Sequence, residues 1–257
     1  MVLHRERLII GGCIAAMVIL AWLYLFHTKT AMPGMDMTGM DMPGMVMLDL
    51  SKWGPATVLI LFVMWTVMMV AMMVPSATPM ILTFLSVNQR RKAADRPYVP
   101  TAIFVFGYLA VWTAFSAAAT FAEWGLHQAA MLSTTMTATN EALNGGLLIA
   151  AGIFQWTPLK RACLQGCRSP LSFLMSEWRE GTAGAFVMGV RHGAYCAGCC
   201  WFLMALLFVA GVMNLLWVAI LSLFVMAEKV LPKGEVVARI AGVALMIAGV
   251  AHIARLW

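Results

Sequence analysis

Five of the six cysteines in this chain fall in two short groups, Cys163/Cys167 and Cys196/Cys199/Cys200. In "RHGAYCAGCCWFLM" an imidazole precedes the second group, and Cys196, Cys199 and Cys200 follow His192 at offsets of four, seven and eight. On a helix those offsets share one face. Three thiols and an imidazole on a common face suit a soft or borderline metal, such as Cu(I) or zinc. The first group, in "PLKRACLQGCRSP", also sets its thiols four apart, so ligands from two segments are available to close one site. The same residues admit two other uses. Cys196 and Cys199 form a C-x-x-C pair suited to thiol exchange, and small residues, including Gly193 and Gly198, let membrane helices approach closely. The string is not C-x-x-C-H, so covalent haem attachment is unsupported.

A second donor set is built from thioethers. "MPGMDMTGMDMPGM" repeats the pattern M-[PT]-G-M-[DV] three times, and Met32, Met35, Met37, Met40, Met42, Met45 and Met47 put seven sulfurs into sixteen residues. Pro, Gly and Asp make this a loop. Thioether sulfur is a neutral, soft ligand that selects Cu(I) and needs no deprotonation, and the glycines let separated sulfurs converge. The alternative is a low-complexity linker lying on a membrane surface. A third set, Met64, Met68 and Met72, lies four residues apart in "LFVMWTVMMVAMMVPSATPM" and forms one helical row. Its spacing resembles the methionine rings of high-affinity copper uptake channels, and it equally suits methionine as a filler of helix interfaces.

The elements that must position these groups are membrane helices. The chain is 257 residues long, 62% hydrophobic and 11% charged, with a mean hydropathy of +0.86. Ordinary soluble domains carry roughly twice that charged fraction. Apolar runs long enough to approach a bilayer's thickness predict an all-α, polytopic bundle of seven spans, with six as the alternative. The runs are Leu8–Phe26, Trp53–Val74, Val99–Phe121, Ala142–Thr157, Gly193–Gly211, Leu215–Glu228 and Val236–Ile253. The apolar segment after Arg5 and Arg7 has no cleavage site following it and reads as a retained helix. Three parts result: a first helix (1–26), a methionine-rich loop (27–52) and a helical metal-binding domain (53–257).

Thirteen of the seventeen basic residues fall on one side of this arrangement, among them Arg90, Arg91, Lys92, Lys160 and Arg161. The bias predicts a cytoplasmic N-terminus, the methionine loop outside and both cysteine groups toward the inside. Pro75 and Pro79 are expected to end or kink the second span, and Arg168–Gly181 reads as an interfacial amphipathic helix. Glu123, His127 and Glu141 are expected in outside water, where they could join the loop in holding metal. Glu228 and Lys229 are expected to pair at the membrane surface, and His252 to be interfacial.

The strings "WTVMMVAMMVPSATPM", "FGYLAVWTAFS", "FQWTPLKRACLQGCRSP", "RHGAYCAGCCWFLMALLFVAGVMNLLWVA" and "EKVLPKG" resemble a bacterial domain-of-unknown-function family of integral membrane proteins described as metal-binding. The resemblance implies a multi-pass inner-membrane protein and, as ligands, Cys163, Cys167, His192, Cys196, Cys199 and Cys200. The expected function is copper handling, with Cu(I) the first choice and zinc the alternative. An accessory subunit of a membrane copper enzyme such as a monooxygenase or oxidase, and a thiol–disulfide oxidoreductase, are the other readings. Expected partners are membrane lipid and a copper enzyme or membrane complex. The scattered basic residues give no nucleic-acid surface, and no nucleotide-binding or acyl-transfer motif points to an enzyme.

Overall fold

The computed structural model describes residues 2–31, 54–95, 97–129, 131, 140–212 and 214–255. Ten helices account for most of them, and no strand occurs among the described residues. They are α1 (Val2–Ala31), α2 (Pro55–Ala93), α3 (Thr101–Gln128), α4 (Glu141–Phe154), α5 (Pro158–Arg168), α6 (Pro170–Glu177), α7 (Gly181–Ala205), α8 (Leu207–Ala210), α9 (Leu215–Val230) and α10 (Gly234–Ala254). Five candidate spans are long and apolar enough to cross a membrane: α1, α2, α3, α7 with α8, and α10. The predicted fourth and sixth spans correspond to α4 and α9, of 14 and 16 residues. At 1.5 Å per residue these reach only about 21–24 Å, short of the ~30 Å hydrocarbon core. The methionine loop, Met32 to Met47, lies outside the described residues.

Large apolar side chains face outward on the spans, including Leu20 on α1, Phe106 on α3 and Ile247 on α10. Such a surface suits lipid rather than water. Inside the bundle, α2 packs against α1, α3 and α9, while α3 pairs with α7 and α4 with α10. The α3–α7 seam is built on glycine. A side chain at Gly107 would strike the backbone of Phe186, and one at Gly189 would strike Phe104. The α4–α10 seam repeats the device at a seven-residue spacing, with Gly145 against Gly249 and Gly152 against Gly242. Small residues at such crossings let backbones come into van der Waals contact.

α2 is the longest element, at 39 residues. It continues through Pro75 and Pro79 to Ala93, where an end or kink was expected. Pro75 and Pro79 remove the N–H groups that would meet the Ala71 and Pro75 carbonyls, and side-chain hydroxyls bond the carbonyls lying between these two. Ser222 donates to Met72 O (3.3 Å), Tyr108 and Ser76 to Met73 O (3.0 and 2.9 Å), and Thr78 to Val74 O (3.1 Å). Packed neighbours of this kind let a buried helix tolerate proline. Contacts between α2 and α3 fix an antiparallel register: Asn88 donates to Val99 O, Tyr108 to Met73 O, and Trp65 to Glu123. At the far end of α2, Arg7 of α1 donates to Ser86 (2.7 Å).

Candidate metal centre

The cysteine-bearing stretch of α7 lies in the middle of a 25-residue helix, since that helix begins at Gly181 and not near Gly193 as the apolar run suggests. His192, Cys196, Cys199 and Cys200 are all buried on it. α5 lies along the same helix. Thr157 caps its N-terminus by accepting from Lys160 N (3.2 Å), with Pro158 at its first position. Gly166 sits against the Tyr195 ring, and a methyl group at Gly198 would come within 2.9 Å of Cys163 Sγ. The two glycines let α5 settle close enough to deliver its own thiols. Cys167 and Cys200 each lie within interaction range of both Cys196 and Cys199, and Cys163 lies within electrostatic reach of Cys199. All these cysteines are free thiols.

The thiols have defined partners. Cys199 and Cys200 point back along their own helix to Cys196 O, at 3.1 and 2.9 Å. Cys196 Sγ is 3.2 Å from the Tyr108 hydroxyl and 2.9 Å from the Lys229 ammonium, which also donates to Ser76 Oγ at 3.0 Å. On α5, Cys167 acts as donor toward Cys196 and then Cys199, and this, together with burial, holds its thiol well above the usual range. Burial, with Cys199 nearby, also pushes Cys163 up. His192 stacks among Phe104, Tyr108 and Phe173, and its Nδ1 is buried without a hydrogen-bond partner.

Among the described residues, no group of three or more His, Cys, Asp or Glu donors stands in a metal-holding arrangement. The thiols are engaged with each other, with a carbonyl and with Lys229. The chemistry of the donors nevertheless fits a soft monovalent cation. Four thiols converge, a fifth is adjacent, and an imidazole nitrogen nearby has no other bond to make.

A family model, PpoB2, described as copper chaperone, matches residues 62–252. The chain belongs to this family. No curated protein and no solved structure matches it. The matched range takes in both cysteine groups and Met64, Met68 and Met72, and leaves out the repeat between Met32 and Met47. Met64, Met68 and Met72 are each at most 4% exposed, so the row faces the protein interior and not lipid.

Several polar residues sit elsewhere than expected. Glu228 does not pair with Lys229. It binds the Lys160 ammonium through both carboxylate oxygens at 2.8 Å, with Gln155 as a further acceptor, while Lys229 turns to the thiols. Adjacent residues on a helix point about 100° apart, so the two charges serve different neighbours. Glu123 is not in water but 1% exposed, accepting from Trp65 Nε1 at 2.7 Å. Glu141 pairs with His252, which ties α4 to α10. Arg191 is paired with Glu177. The amphipathic stretch Arg168–Gly181 forms only the eight-residue α6. Lys229 and Tyr108 were missed as parts of the thiol cluster. Their sequence signal was weak, a lysine and a tyrosine in otherwise apolar helices.

Proposed function

We propose that this protein binds Cu(I) within the bacterial inner membrane and passes it to a copper-requiring partner. The observation that carries the reading is the convergence of Cys167, Cys196, Cys199 and Cys200, from α5 and α7, beside the partnerless Nδ1 of His192. These are soft donors in a chain of a copper-chaperone family. Cys163 completes the set from the edge. The methionine repeat at Met32–Met47 captures Cu(I) outside the cytoplasm. Met64, Met68 and Met72 link that end of the bundle to the thiols, which lie toward the cytoplasmic side of a chain with its N-terminus inside. Thioether ligands followed by thiols form a gradient of rising affinity for Cu(I).

Lys229 supports the same reading through charge. Two thiolates around one Cu(I) carry a net negative charge, and a buried ammonium beside Cys196 balances it. Buried charges persist when they are paired in this way.

The test is metal content. The full-length protein is purified under reducing, copper-replete conditions and assayed for copper and zinc, then compared with Cys196→Ser/Cys199→Ser/Cys200→Ser. Bound copper in the parent and its loss in the variant are expected. A parent free of both metals overturns the reading, and zinc alone replaces copper with zinc. The Lys229–Cys196 contact also favours a second reading, a thiol–disulfide oxidoreductase with Cys196 as nucleophile. Thiol exchange lost in Cys196→Ser, with metal content intact, selects that second reading.

A further inference from the structure

The thiol cluster uses one end of the α2–α3 interface, and the other end holds a buried acid with no role in it. Glu123 lies near the C-terminus of α3, in a helix long and apolar enough to span a membrane, and is 1% exposed. It accepts a hydrogen bond from the Trp65 indole, and no basic side chain forms an ion pair with it among the described residues. Ionisable groups inside membrane helices face the bundle interior and mark ion pathways.

What lies between Glu123 and the thiols points the same way. On α3, Tyr108, Trp112, Ser116, Thr120 and Glu123 follow one another at spacings of four, four, four and three, all at most 2% exposed. These spacings keep them on one face. Trp112 Nε1 on that face is buried with no hydrogen-bond partner. On α2, Trp65 is followed by Met69, Met72 and Ser76, again on one face and buried. The two faces are joined at one end by the Trp65–Glu123 bond. At the other, Tyr108 and Lys229 reach Cys196, and Lys229 also holds Ser76. Trp65 precedes Ser76 by three turns, about 16 Å along the axis.

We infer that Glu123 is a Cu(I)-binding position at the end of this interface remote from the thiols. Neutral thioethers coordinate Cu(I) but leave its charge uncompensated in an apolar interior. A carboxylate bonded to Trp65, one turn before the buried Met69 on the same face of α2, supplies the missing negative charge. Gly54, where the chain enters α2, lies at this same end. The inference rests on the copper-handling reading and adds a second site to it.

The test uses Ag(I), a redox-stable stand-in for Cu(I), on the full chain with Cys163, Cys167, Cys196, Cys199 and Cys200 all replaced by serine. In that background Glu123→Gln retains an oxygen acceptor for Trp65 and removes the charge. Glu123→Asp retains the charge. Binding is read by equilibrium dialysis and elemental analysis, with helicity checked by circular dichroism. Glu123→Gln is expected to lose one equivalent of Ag(I) or to bind it at least tenfold more weakly, while Glu123→Asp keeps it. An unchanged isotherm for Glu123→Gln overturns the inference, as does an equal loss in Glu123→Asp. Copper bound by the cysteine-intact Glu123→Gln protein shows separately whether the thiol site stands. Failure at Glu123 is thereby distinguished from failure of the wider reading.

Discussion

Replacing Glu228 by glutamine isolates the energetics that hold α5, the helix of Cys163 and Cys167, against α9. Lys160 Nζ sits 2.8 Å from both carboxylate oxygens, and the two side chains are 2% and 1% exposed. At that separation the attraction is about 6 kcal/mol in an effective dielectric near 20, and most of it offsets the cost of burying two charges. Glu228→Gln keeps the shape but leaves an ammonium buried among neutral acceptors. Breaking a buried pair from one side costs about 3–5 kcal/mol, or roughly two to nearly four powers of ten in the unfolding equilibrium. Thermal unfolding of the detergent-solubilised protein, followed by tryptophan fluorescence, should move down by roughly 6–20 °C. Because Lys160 is in the first turn of the helix carrying Cys163 and Cys167, both thiols should also alkylate faster. The double variant Lys160→Met/Glu228→Leu removes both charges and should recover more than half of the loss. The reasoning is refuted if Glu228→Gln unfolds with the parent, or if the double variant is no better than the single one.

Gly189→Leu places a side chain against the Phe104 carbonyl where α3 and α7 touch; it should abolish recovery of folded protein by size-exclusion chromatography, while Gly11→Leu, on an open face of α1, should leave recovery unchanged. Because burial and the proximity of Cys199 push the Cys163 thiol up, its reactive thiolate is scarcer at neutral pH than in a free cysteine. Iodoacetamide labelling of Cys163 should therefore be slow at pH 7 and still be rising above pH 9, measured by peptide mass spectrometry in the folded protein; a plateau below pH 8.5 would contradict the assignment.

Most helices are legible in the sequence because a long apolar run has few other outcomes. The shared face of His192, Cys196, Cys199 and Cys200 follows from spacing alone, as does the buried row of Met64, Met68 and Met72. What the sequence hides is tertiary. Nothing local reveals that Tyr108 and Ser222 place their hydroxyls on carbonyls just before Pro75, or that the helix runs on through both prolines. Neither does local sequence disclose that Glu228 and Lys229 part company, since Lys160 and Cys196 lie on α5 and α7. Glu123 resembles a loop-flanking acid by its distance from the helix end. The sequence clue to its burial is that Tyr108, Trp112, Ser116 and Thr120 precede it on one face, a polar stripe inside an apolar helix. The convergence of both cysteine groups needs Gly166 and Gly198 to admit α5, and two glycines in loop-like or packed surroundings do not announce a docking surface.

α2 explains why soft donors and charges occur where they do. It is the one helix in contact with α1, α3, α6 and α9, so any residue on its inner face is shielded from lipid by neighbours on several sides. Methionine suits that position because it fills irregular gaps without a polar group that must be satisfied. Packing alone accounts for the burial of the row. Packing does not account for what stands at its ends. An apolar interface gains nothing from a carboxylate at Trp65 or an ammonium at Ser76, and each charge removed from water lowers stability unless something offsets it. The prolines fall at the Ser76 end, where hydroxyls from α2, α3 and α9 gather on Met72, Met73 and Val74 carbonyls. Charged groups thus stand where Lys229 meets the thiols and again at Glu123, with methionines of α2 and the polar stripe of α3 between. Buried ionisable groups of opposite type about three turns apart are costly for a structural bundle. Under the proposed copper-handling reading, Lys229 and Glu123 are the groups that would set where the cation rests.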